Sequence, residues 1–244
     1  MRDYAKETQL RVQWIKDKVK AANASGIVFG NSGGKDCALV GILCKKACDK
    51  TIGIIMPCQS KQNYTTDMQD AKRVSEQYGI ESRTVDITAA KEELLKALDG
   101  NVNPDYKKAA AFANINPRLR MTTLYAVAQT ENCLVAGTGN RSESTMGYFT
   151  KWGDGAYDLN PIGDLTVREV YEFLAYFDAP MTIRTKKPSA GLWAGQTDEQ
   201  EMGLTYKEID DYLLLGEATP SVTHRIEAAE QRGKHKRILP VYPD

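Results

Sequence analysis

Apolar residues recur along this chain in two alternating rhythms, one of three to four residues and one of short unbroken runs, which predicts helices interleaved with buried strands. Over residues 3–23 the longer rhythm places Leu10, Trp14, Ile15 and Val19 on one stripe opposite charged positions, so an amphipathic helix opens the chain. Gly26 to Phe29 predicts a strand, followed by a helix from about Lys35, a strand at Thr51 to Met56, a helix over about Thr65 to Tyr78, and a strand at Arg83 to Ile87. Right-handed crossovers join three such βα units into one parallel sheet with helices on both faces. Residues 104–131 predict helix, interrupted near Asn116-Pro117 because proline removes a backbone donor, and Cys133 to Ala136 predicts a further strand. Beyond it the rhythm loosens. Residues 137–165 are rich in Gly, Asp and Thr, Val167 to Phe177 predicts a helix, and two last helices are expected over about 205–215 and 220–232. Thr185 to Gly203 is polar and without a period, and a segment of that length predicts a lid that orders over bound substrates. The whole pattern is that of an α/β chain, a doubly wound parallel sheet of Rossmann-like type, forming a single domain over residues 1–244.

Composition narrows what such a domain does. With 42% apolar and 26% charged residues, the 244-residue chain can bury a sizeable core. Its 32 basic and 32 acidic side chains cancel, so no global field draws nucleic acid or anionic lipid to it. No apolar run approaches the roughly 20 residues of a membrane span, and the N-terminus is charged where a secretory signal carries its apolar core. Five cysteines, an odd number, fit reduced thiols and a cytoplasmic protein. Cys37, Cys44 and Cys48 share a helix face, but no CxxC pair or Cys/His cluster completes a metal site, so they are expected in the core.

The first segment with chemistry is Gly30-Asn31-Ser32-Gly33-Gly34-Lys35-Asp36-Cys37, which follows a buried strand and opens a helix. Glycines there let backbone N–H groups turn toward a ligand, and the helix N-terminus adds the positive end of its dipole, a nest suited to phosphate. Ser32 adds a hydroxyl donor and Lys35 a cation. Asp36 would repel phosphate unless a divalent cation lay between them, so it implies Mg²⁺. The segment is neither a Walker A loop nor a GxGxxG fingerprint. The competing structural reading is a tight strand-to-helix turn with an acidic cap.

This SGGxD loop resembles the pyrophosphate loop of the N-type ATP pyrophosphatases, whose fold is that of the adenine-nucleotide alpha-hydrolases. Asn116-Pro117-Arg118-Leu119-Arg120-Met121, Gly137 to Glu143, Gly147 to Gly155, Asp158 to Ile162, Lys187 to Leu192, Gln196 to Glu199, Gly203 to Tyr206 and His235-Lys236-Arg237 follow in the order seen in NAD synthetases. The chain is therefore similar to that family over nearly its whole length. The resemblance implies an ammonia-dependent synthetase that amidates deamido-NAD to NAD through an NAD-adenylate, releasing AMP and pyrophosphate. It implies ATP as co-substrate, Mg²⁺ as cofactor, a homodimer, and no nucleic-acid or membrane partner.

Residue by residue, the resemblance implies that ATP is held by Gly30, Asn31, Ser32, Gly33, Gly34, Lys35, Asp36, Cys37, Thr138 and Ser189, and Mg²⁺ by Asp36 and Glu143. Arg118, Lys151, Asp158, His235 and Lys236 match residues that bind deamido-NAD. No catalytic residue is singled out; Ser32, Lys35 and the metal are expected to stabilise the transition state. Considered alone, Thr138 can be a helix cap, Glu143 a solvated acid, and Arg118, Lys151 and Asp158 members of surface ion pairs. Tyr148, Phe149 and Trp152 can stack on a base or simply pack, and His224 has no motif around it. Val167 stands where the resembled enzymes carry an ATP-binding lysine, for which Lys187 is the candidate replacement. Two alternatives compete: another ATP pyrophosphatase acting on a different acid or a tRNA base, and an ATP-binding regulatory module without turnover.

Overall fold

Four strands, each no more than five residues long, form one parallel sheet in the order β3-β2-β1-β4. The computed structural model describes residues 2–59, 64–103, 108–186 and 198–238. In chain order its elements are α1 (Tyr4–Ala21), β1 (Gly26–Gly30), α2 (Lys35–Ala47), β2 (Thr51–Ile55), α3 (Thr66–Tyr78), β3 (Glu81–Thr84), α4 (Thr88–Leu98) and α5 (Lys108–Ala113). They continue with α6 (Ile115–Glu131), β4 (Cys133–Ala136), α7 (Arg141–Met146), α8 (Val167–Tyr176), α9 (Met181–Arg184), α10 (Asp198–Met202), α11 (Tyr206–Leu215) and α12 (Pro220–Arg237).

Strand alternation distributes β1 between two cores. Ile27 and Phe29 face a cluster built with α1, α2 and α8, whereas Val28 joins Ile52, Ile54, Val135 and Ala128 of α6 on the opposite face. Helices therefore cover both faces, as the sequence predicts. Helix α2 buries every residue from Cys37 to Cys44, because it lies between the sheet and four helices, α1, α3, α8 and α9. A third cluster beside the sheet joins Val167, Leu204, Tyr206, Ile209, Val222 and Ile226, locking α8, α11 and α12 together.

Several sequence expectations shift in detail. Helix α4 was not foreseen: its apolar stripe of Ala90, Leu94, Ala97 and Leu98 is short, and none of its residues is buried. Strand β3 begins two residues before the predicted Arg83, and its pairing with β2 extends past Thr84 through Val85 N–H to the Ile55 carbonyl at 2.9 Å. The helix break falls at Asn114, which leaves Pro117 in the first turn of α6, where its missing donor is not needed. On α1 only Ile15 and Val19 enter the core, while Leu10 and Trp14 are 56% and 39% exposed. Of the predicted lid, 187–197 lie outside the described residues.

Candidate active site

The order of the strands creates a switch point between β1 and β4, whose C-terminal ends open into a crevice between loops that leave in opposite directions. A cavity of about 800 Å³ occupies it, lined by the loop after β1, the segment after β4, Met56 and Pro57 beyond β2, and the first turns of α6.

The loop after β1 is shaped from inside. Asn31 is buried and donates its side-chain amide to the Ala71 carbonyl and the Ser75 hydroxyl, both at 3.2 Å, tying the loop to α3. Gly33 sits at φ +72°, and a Cβ there would stand 2.1 Å from the Asp67 carbonyl oxygen, so only glycine fits. Cys37 Sγ accepts the Gly34 N–H at 3.3 Å and donates to the Gly34 carbonyl at 3.2 Å. The N–H groups of Gly33 and Gly34 are thus directed to Asn31 and Cys37, and Ser32 is the exposed residue of the loop that lines the cavity.

Across the crevice, α7 is capped by Asn140 rather than by Thr138, which lines the cavity instead. Asn140 organises the acidic residues: its amide nitrogen donates to Asp36 Oδ1 at 3.1 Å, and its backbone N–H to Glu143 Oε2 at 3.1 Å. Burial first, and the charge of Asp36 second, push Glu143 up to about 8, against the opposing pull of Lys35. Lys35 is itself buried, with Nζ 2.6 Å from Asp36 Oδ2 and lying over the rings of Tyr171 and Tyr206 at 6.0 and 5.7 Å. Burial alone would lower its pKa, but Asp36 and Glu143 outweigh burial and hold the ammonium above the ordinary lysine value. Lys35 therefore neutralises Asp36 before it can serve a phosphate.

Two carboxylates brought together with incomplete neutralisation are a fitting donor set for a hard divalent cation. Among the described residues no group of three or more His, Cys, Asp and Glu side chains could hold a metal, so a cation here would complete its shell from water and phosphate oxygens.

The five residues matched to deamido-NAD binding divide into two groups. Lys236 lines the cavity, with Nζ donating to the Gly147 and Phe149 carbonyls at 2.8 Å each. Arg118, Lys151 and His235 meet outside it: the Arg118 guanidinium donates to the Lys151 carbonyl at 3.4 Å, and Lys151 Nζ to the His235 carbonyl at 2.6 Å. Asp158 also stands apart, accepting the Val135 N–H at 2.7 Å and the Tyr125 hydroxyl at 3.2 Å. Tyr148 and Phe149 line the cavity, whereas Trp152 is half exposed with Lys151 over its ring. Ser189 and Lys187 lie outside the described residues. Val167 packs in the third core at 3% exposure, far from any role as a phosphate ligand.

Sequence reasoning singled out none of three further residues of the site: Lys186 and Arg120, which line the cavity, and Asn140, which is buried behind it. Asn140 stands inside the resembled block Gly137 to Glu143, but nothing in the sequence assigns it a role of its own. Lys186, one position before the candidate replacement lysine, joins the loop to α3 by donating to the Gly33 carbonyl at 3.1 Å and to Asp67 and Asp70 at 2.8 and 3.0 Å. Arg120 lies two residues after Arg118, about 200° around the helix, so one arginine faces the cavity and the other does not.

Known proteins are similar to this chain in sequence and fold. A family model described as NAD synthase matches residues 7–241. An NH(3)-dependent NAD(+) synthetase of Carboxydothermus hydrogenoformans is 47% identical over 99% of this chain and 98% of its own. Among solved structures, one described as NMN synthetase from Francisella tularensis superposes with a TM-score of 0.93 at 40% identity, covering all of both chains. The NH3-dependent NAD synthetase from Campylobacter jejuni superposes with a TM-score of 0.80 at 29% identity, also over all of both chains.

Proposed function

The chain belongs to the NAD synthase family, and from that premise we propose how its own residues perform the family's chemistry. It is an enzyme, an ammonia-dependent ligase that converts deamido-NAD and ATP to NAD, AMP and pyrophosphate through an NAD-adenylate. The observation that carries the site assignment is the convergence of Asp36 and Glu143 on Asn140, at 3.1 Å each, beside the loop after β1.

The nicotinate carboxylate attacks the α-phosphorus of ATP, the bond to the β-phosphate bridging oxygen breaks, and pyrophosphate leaves. Ammonia then attacks the acyl carbon and AMP departs. A carboxylate is a poor electrophile, and adenylation supplies its leaving group. The chain's contribution is position and charge. Ser32 offers its hydroxyl to the departing pyrophosphate, with the N-terminus of α2 behind it. Asn140 fixes the direction of both carboxylates, and Lys35 compensates Asp36 until substrate arrives. Mg²⁺ held by Asp36 and Glu143 would supply charge neutralisation to the phosphates. Thr138 and Lys236 both line the cavity, which supports a part for each in orienting the two substrates.

Two copies of the chain form the working unit in this reading, a proposal supported by the exposed Leu10 and Trp14 on α1. Each chain contributes one catalytic domain. Among the described residues no helix is long and apolar enough to cross a membrane, and the free cysteines support a cytoplasmic location.

A second reading of the acid substrate has an observation in its favour, since the NMN synthetase structure superposes more closely than the Campylobacter enzyme. In that reading the substrate is the mononucleotide acid, and the same two steps apply. One experiment covers both: protein, MgATP and ammonium are supplied with deamido-NAD or with nicotinate mononucleotide, and kcat/KM is compared. Formation of NAD together with AMP is expected, with ammonium and not with glutamine as the nitrogen source. A preference for the mononucleotide would establish the second reading, and absence of AMP with either acid would refute both.

A further inference from the structure

Among the arginines, Arg2, Arg11, Arg83 and Arg168 are each ion-paired to carboxylates. Arg120 differs. It stands in the first turns of α6 and lines the cavity, yet its only hydrogen bond among the described residues runs from Nε to the Met56 carbonyl, at a long 3.4 Å. No carboxylate among the described residues lies within ion-pair distance of it. A guanidinium carries five N–H donors, so its terminal nitrogens are left without an acceptor.

The neighbouring charges are already committed. Asp67 is held by Lys186 at 2.8 Å, Asp154 accepts the Thr150 N–H at 2.9 Å, and Lys236 is engaged with two carbonyls. Burial drives the Arg120 guanidinium below its ordinary value, with Cys58, Asp154 and Asp67 compensating only in part. Holding a half-buried guanidinium by one long hydrogen bond, with no carboxylate within ion-pair distance among the described residues, leaves its fork free to receive an anion from the crevice.

Position identifies the ligand's chemistry. Helix α6 ends where β4 begins, so its first turns stand over the C-terminal ends of the strands. One helical turn below Arg120, Leu124 Cδ1 lies 3.6 Å from where a Cβ on Gly30 would be, and Met56 Cε lies 3.5 Å from that same point. Arg120 therefore stands on the cavity wall beside Met56, beyond the end of β2, and one turn from Leu124, which packs at the end of β1 where the loop bearing Ser32 begins. A planar fork there matches a two-oxygen anion.

We propose that Arg120 is the receptor for the oxyanion at the point where the two substrates meet, either a non-bridging oxygen pair of the α-phosphate or the nicotinate carboxylate. The proposal rests on the adenylation chemistry above and adds a substrate-contacting residue to it. The same contact serves whether the acid is a dinucleotide or a mononucleotide, because both carry the nicotinate group. When the carboxylate joins the α-phosphorus the two groups share an oxygen, so one guanidinium stays in contact through the first step. It has no anion to hold on the neutral amide product.

Full-length wild type, Arg120→Gln and Arg120→Lys are compared by calorimetric binding of four ligands and by thermal melting without ligand. The preference for AMP over adenosine reads the phosphate contact, and the preference for deamido-NAD over NAD reads the carboxylate contact. In Arg120→Gln one of these preferences is expected to fall at least tenfold, with partial retention in Arg120→Lys, which keeps charge without the fork. Ligand-free Arg120→Gln is expected to melt no lower than wild type, because an unpaired charge has been removed. A structural role predicts the reverse, a lower melting temperature with both preferences kept, and that result overturns the proposal. Both preferences kept at an unchanged melting temperature overturns it equally. Wild-type protein that makes no NAD or NMN would instead defeat the functional reading, which separates the two failures.

Discussion

At the scale of single residues, the centre of the site is a charge balance: two carboxylates, Asp36 and Glu143, set against one ammonium, Lys35. Asp36→Asn and Glu143→Gln each remove a charged ligand without opening the core. Each is expected to lower Mg²⁺-dependent kcat/KM at least a hundredfold, an order expected for electrostatic groups of this kind, while the circular-dichroism melt moves little. The same balance predicts a pH dependence. Glu143 is pushed from 4.5 to about 8 in the folded state, so between these values the folded chain binds a proton that the unfolded chain has released. Stability of the metal-free protein should therefore decline as pH rises through that window, and Glu143→Gln should flatten the decline. Denaturant titrations in chelator at pH 5, 6.5 and 8 (approximate settings spanning the shift) measure it; a slope identical in the variant would reject it. Asp36, Lys35 and Glu143 were legible as a group from their motifs. That Lys35 pairs with Asp36 was not, because residue order says nothing about where a long side chain turns.

At the scale of elements, the C-terminal helix reaches the site through a contact of two glycines. A Cβ on Gly233 of α12 would stand 3.0 Å from Gly147 Cα, and one on Gly147, itself at φ +63°, 3.1 Å from Gly233 Cα. This approach brings Lys236 within 2.8 Å of the Gly147 and Phe149 carbonyls on the cavity wall. Gly233→Val should force α12 outward, at a cost of about 1–3 kcal/mol from overpacking. Steady-state kinetics should show KM for the acid substrate rising several-fold, and by more than KM for ATP, since it is Lys236 of α12 that bonds the Gly147 and Phe149 carbonyls on the cavity wall. Unaltered kinetics in a folded variant would show that α12 does not set the site. Helix α8 was readable in advance from its strong period, and α2 from the loop that opens it and its apolar composition. Helix α4 was not: its apolar residues Ala90, Leu94, Ala97 and Leu98 do recur at helical spacing, but the stripe is short and none of its residues is buried in the fold.

At the scale of the whole molecule, the apolar surface of α1 lacks a partner within the described residues, with Leu10 at 56% and Trp14 at 39% exposure. Light scattering at micromolar concentration is expected to give about twice the chain mass of 27.1 kDa, and Leu10→Glu to halve it. A wild-type mass of one chain, with full activity, would reject the dimer and this use of α1 together.

The sequence by itself determined the class of fold, the order of the strands up to β4 with the helices between them except α4, and the loop Gly30 to Cys37 with its acid, because these follow from local periodicity and from glycine and proline chemistry. It also carried the family resemblance, which is written in ordered motifs. Only the tertiary structure decided which matched residues share the cavity. It set Lys236 inside and Arg118 outside, bound Asp158 to the Val135 N–H, buried Val167 in a hydrophobic cluster, and left Arg120 facing the crevice without an ion pair. Neighbours across a crevice are fixed by how helices pack on the sheet, and that packing joins Asn140 to Asp36 over 104 positions of chain that no local pattern spans.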